Sequence, residues 1–161
     1  MILGGLLTGA VSLWQAQLIT RREREARQAL REQERKDRRD AFQRETLLAM
    51  QDAVEDARQS VNREYERKLA IWNEEDRHYW EQREPGDPLP KSWNDADARI
   101  TKLWARVFDG DLESTVSDFQ MASGEAITAQ TQDGAFDDVN HVGRLAHEVN
   151  SRIGVLLDDL F

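Results

Sequence analysis

The chain has 161 residues, of which 33% are charged and 39% hydrophobic, with a net charge of −9 and no cysteine. That length allows one modest core plus an appendage. The missing cysteine excludes disulfides, thiolate nucleophiles and zinc sites with sulfur ligands, and the negative balance argues against a general nucleic-acid binder.

Met1 to Thr20 carries no charged side chain, and eight of its residues are Leu, Ile or Val. As a helix it would be about 30 Å long, the thickness of a bilayer's hydrocarbon core. Those eight residues favour insertion by roughly 2.5–5 kcal/mol, which the glycines, Thr8, Ser12, Gln15 and Gln17 oppose. Basic residues follow the run and none precedes it, so a signal peptide fits poorly. The charge order instead predicts a single-pass anchor over 1–20 in the cell membrane, with the amino terminus outside and the body cytoplasmic. Gly5, Thr8, Gly9 and Ser12 recur at three- and four-residue steps, a small-residue face through which such helices associate.

Residues 21–45 form a basic, mixed-charge neck, with ten Arg or Lys against seven Asp or Glu, a net of +3. It has no Gly or Pro, and acid–base pairs four residues apart support a helix that is polar all round. Arg21, Arg22, Arg24 and Arg27 stand where lipid headgroups would be met. Acids interleave along the neck and no aromatic alternates with its arginines, so nucleic acid is not an expected partner.

Residues 46–161 carry the remaining twelve basic and twenty-four acidic residues, a net of −12. From Leu47 through Met50, Val54, Ala57, Val61, Tyr65, Leu69 and Trp72 apolar residues recur every three or four positions. With nothing to break the chain upstream, one very long helix is predicted from near the amino terminus to about Gln82. Pro85, Gly86, Pro88 and Pro90 end it. Ser92 with Asp95 then reads as an acidic variant of the capping box for a second helix carrying Ile100, Leu103, Trp104, Val107 and Phe108. Asp109-Gly110 is predicted to close that helix and Asp111 to cap a third carrying Leu112, Val116, Phe119 and Ile127, which Gly124 would kink or split. After a turn at Asp133-Gly134, a last helix from about Ala135 carries Val139, Val142, Leu145, Val149, Ile153 and Leu156. No stretch alternates with a period of two. The predicted fold is therefore all-α, a very long N-terminal helix continuing into an antiparallel bundle of about four helices, without a sheet.

Trp72, Tyr79, Trp80, Trp93 and Trp104 flank the proline loop and read as an aromatic cap on that end of the bundle, with a ligand slot rimmed by Arg77 and His78 as the alternative. A search for chemistry is nearly empty. His141 and His147 are six apart, on different helix faces, and the HExxH pattern is absent. Asp109-Gly110-Asp111 lacks the register of a calcium loop. No catalytic, cofactor or metal residue is expected.

The layout GGLLTGAVSLWQAQLITRREREARQALREQERKDRR resembles that of uncharacterised actinobacterial proteins in which a Gly/Leu-rich N-terminal anchor helix runs into an Arg/Glu-rich neck and a helical body. The resemblance covers about the first 45 residues, is compositional, and implies an anchored helical protein without carrying over any functional residue. Two functions follow as expectations. The first is a non-enzymatic, membrane-tethered scaffold that self-associates as a homo-oligomer or docks a cytoplasmic protein through its acidic bundle. The alternative is a soluble helical, coiled-coil binding module, phage-borne in one version, whose N-terminal helix assembles with its own copies.

Overall fold

The computed structural model describes residues 3–74, 89–107 and 109–160, with side chains from Arg21 onward. Four helices follow in chain order: α1 (Leu3–Glu74), α2 (Lys91–Trp104), α3 (Gly110–Thr128) and α4 (Gln132–Asp158). Among the described residues there is no strand. The all-α reading and the very long first helix are observed. The chain divides into two compact units, Met1–Phe42 and Gln43–Phe161.

In the first unit every residue from Arg21 to Arg39 is exposed. Local pairs stiffen this part of α1: Arg21 with Glu25 at 3.0 Å, Glu23 with Arg27 at 3.9 Å and Glu34 with Arg38 at 3.4 Å, all four residues apart. Exposed pairs at this spacing contribute about 0.3–0.5 kcal/mol each.

The second unit is the bundle. Ser60 meets Ser92 at 2.6 Å and Asp56 accepts from Arg99 at 2.6 Å, so α2 advances as α1 is read backwards. Gln120 of α3 reaches Asp97 and Thr101 of α2 at 2.6 and 3.1 Å. The short connection 129–131 joins α3 to α4, and Arg152 on Asp109 ties their other ends, which makes that pair antiparallel. The core takes Leu47, Met50, Val54 and Val61 from α1, Ile100 from α2, Phe119 and Ile127 from α3, and Val142, Val149 and Ile153 from α4. These are the stripes that the helical period marks, and burying each such side chain contributes about 1.5–3 kcal/mol.

Helix ends depart from expectation. α2 begins at Lys91 behind Pro90, with no side-chain cap. Ser92 is taken up by Ser60 across the bundle, and Asp95 pairs with Lys91. Asp109 caps α3 in place of Asp111, its carboxylate accepting from Leu112 N at 2.8 Å. α3 runs through Gly124 without a break. α4 starts at Gln132, because Thr131 caps it by accepting from Gly134 N at 3.1 Å, so Asp133-Gly134 lies in the first helical turn.

One expectation is overturned. Among the described residues no helix is long and apolar enough to cross a membrane, so the single-pass cell-membrane placement does not stand. Leu3–Thr20 is helical, but Gly4, Gly5, Thr8, Gly9, Ser12, Gln15 and Gln17 dilute its apolar length. Glutamine amides and small polar side chains offset the gain from Leu, Ile and Val.

Candidate interaction surface

Among the described residues, His, Asp and Glu side chains form no group of three or more able to hold a metal ion. His141 is exposed and Arg144 Nη2 lies 3.2 Å from its Nδ1, while His147 is exposed on another face of α4. The polar geometry here is that of helices tied to one another and of a charged outer surface.

A bidentate ion pair ties the start of α3 to α4. Arg152 donates to both oxygens of Asp109, at 3.0 and 2.6 Å, and its guanidinium also lies 3.3 Å from Asp111. A planar fork on a carboxylate is the directional form of an ion pair. The Arg152 hydrogen bonds, helped by the Leu112 amide, hold the Asp109 carboxyl below its ordinary value. One aspartate therefore caps α3 and anchors α4.

A second cluster lies along α1. Arg58 donates to Glu55 at 2.8 and 2.6 Å, and Gln59 donates to the same carboxylate at 2.8 Å. Hydrogen bonds from Arg58 first, then Gln59, lower the Glu55 carboxyl from 4.5 to about 2. Glu64 accepts two bonds from Arg67 at 2.9 and 2.7 Å.

Lys68, 3% exposed, was not legible as a buried group, since lysine ordinarily keeps its ammonium in water. It donates to the carbonyl of Ile127, in the last turn of α3. A cation there satisfies an orphan carbonyl and complements the helix dipole. Nothing in the local sequence announces this contact, because its partner is 59 residues away.

Three of the five residues expected to form an aromatic cap are described. Trp93 is buried in the core at the start of α2, and Trp104 packs half-buried on the core at its end. Eleven residues separate them, about 16 Å along the axis. Trp72 is half-buried near the end of α1. Tyr79, Trp80, Arg77 and His78 lie outside the described residues, as do the side chains of Gly5, Thr8, Gly9 and Ser12. Arg21, Arg22, Arg24 and Arg27 are all exposed.

Large apolar side chains also face solvent: Leu30 at 60%, Phe42 at 53%, Met121 at 62% and Phe136 at 55% exposure. Leu30, Phe42 and Phe136 have charged residues within two positions along the chain, the setting of a contact surface more than of a ligand pocket. Compared with known proteins, the chain matches no family model, no curated protein and no solved structure.

Proposed function

We propose that the protein is a non-enzymatic helical interaction module whose long N-terminal helix assembles with copies of the same chain. The observation that carries this reading is the unbroken exposure of Arg21–Arg39 within one continuous helix. Most helical stability in proteins comes from packing a face against a neighbour, and an all-polar helix draws only small increments from its own i,i+4 pairs. A stretch this long and this exposed is the part of the fold with most to gain from a second helix. The exposed Leu30 and Phe42 supply apolar contact points along it. The absence of a membrane-crossing helix among the described residues favours this reading over tethering.

The test is the mass of the full chain by sedimentation equilibrium over a wide concentration range. Reversible association is expected, and it should weaken when Leu30 is replaced by Glu. A chain that stays monomeric throughout refutes the proposal.

A further inference from the structure

On α1, Arg24, Arg27, Arg31, Arg35 and Arg38 follow one another at steps of three, four, four and three residues. At 3.6 residues per turn these five side chains fall within an arc of roughly 80°. Between Arg24 and Arg38 the acids fall outside that arc, with Glu34 nearest its edge. All five arginines are exposed. The partners of Arg27 and Arg38 are exposed glutamates, in pairs weak enough to be exchanged for better ones. The face is a ladder of planar, permanently charged forks, the side chain best suited to carboxylates presented in a row.

A matching row exists on α3. Asp111, Asp118 and Glu125 stand seven residues apart on one exposed side of that helix, with the 62%-exposed Met121 between the last two and Asp111 also 3.3 Å from Arg152 of its own copy. Arg24, Arg31 and Arg38 are likewise seven apart. Both triplets therefore repeat every ~10.5 Å and span about 21 Å along their axes. Seven is the period at which paired helices hold charge partners in register over successive turns. The net charges agree, +3 for residues 21–45 against −12 for residues 46–161. Two arginine ladders placed face to face would instead bring like charge to like.

We infer that the arginine ladder of α1 docks on the acidic row of α3 in a second copy of the chain, with Arg31 and Asp118 as the central pair. This deepens the self-assembly proposed above and rests on it. The contact is heterologous, since different surfaces of the two copies meet, so each copy keeps one free ladder and one free row unless the assembly closes into a ring.

The experiment uses the full chain and sedimentation velocity, with circular dichroism to check that each variant is folded. Arg31→Glu and Asp118→Arg should each weaken association ~tenfold or more, because each sets like charges opposite one another. Combining them should restore association toward that of the unmodified chain. Two weakened singles with no recovery in the double variant would overturn the pairing. So would singles that associate like the unmodified chain, a result that leaves self-assembly itself standing. A monomeric unmodified chain would overturn both readings at once. If Arg31→Glu leaves self-association intact but abolishes binding of a duplex DNA probe, the ladder reads phosphates and the inference fails.

Discussion

At the scale of single residues, the bundle depends on a few charged groups whose work is set by what they touch. Glu55 holds its proton far less tightly than an ordinary carboxyl, because Arg58 and Gln59 donate to its charged form. A carboxyl lowered on folding stabilises the fold above its unfolded value, and that contribution is lost as pH falls through the folded value. The loss for Glu55 therefore spreads between pH 4.5 and about 2, and Asp109 adds a loss of the same sign. Thermal melts across that range should show the unmodified chain losing stability on acidification more steeply than Glu55→Gln. Equal slopes would mean that the Glu55 cluster does not differ between the folded and unfolded states. Lys68→Met should cost on the order of 1–3 kcal/mol in denaturant melts, because it strips a charged donor from a buried carbonyl. These roles were only partly legible. Acid–base pairs three or four residues apart can be read along a helix, whereas Lys68 on Ile127 and Arg152 on Asp109 depend on which helices lie together.

At the scale of elements, the helical period marks which residues are buried, and the caps are decided by competition. The stripe Leu47, Met50, Val54, Ala57 and Val61 is buried as its spacing predicts, while Tyr65, Leu69 and Trp72 farther along it are half-buried. The Ser92–Asp95 box did not form, since Ser60 across the bundle and Lys91 beside it offered those side chains other partners. Gly124 does not interrupt α3, because a helix held by packing tolerates a single glycine. Glycines inside α4 leave a stability reserve. A Cβ added at Gly143 or Gly154 would meet nothing within 4 Å, so Gly143→Ala and Gly154→Ala should each raise stability by about 0.5–1 kcal/mol. The opposite is expected at Gly134, where a Cβ would stand 2.8 Å from the Thr131 hydroxyl oxygen that caps α4. Chemical denaturation of the three variants gives the signs directly, and destabilisation at both Gly143 and Gly154 would show that their open side is occupied in solution.

For the whole molecule, charge segregation is the property that bears most on function. A basic stretch and an acidic remainder within one chain favour contact between unlike parts of different copies over contact between like parts. Such contacts are screened, with a Debye length near 10 Å at 0.1 M salt falling to about 3 Å at 1 M. Self-association should therefore weaken steadily as salt rises, a trend read from sedimentation at several ionic strengths. An assembly indifferent to salt would be apolar in origin and would redirect attention to Leu30, Phe42 and Met121.

Helix content, the long first helix, the stripe that enters the core and the opposition of charge between neck and body were determined by the sequence alone. Each is a local pattern, expressed by a period of 3.6 residues or by a count of charges, and it survives whatever the helices pack against. Tertiary structure decided the diversion of Ser92 to Ser60, the burial of Lys68, and the fork that joins Arg152 to Asp109. The reason is physical: a polar side chain takes the best partner within reach, and reach is defined only once helices distant in sequence lie side by side.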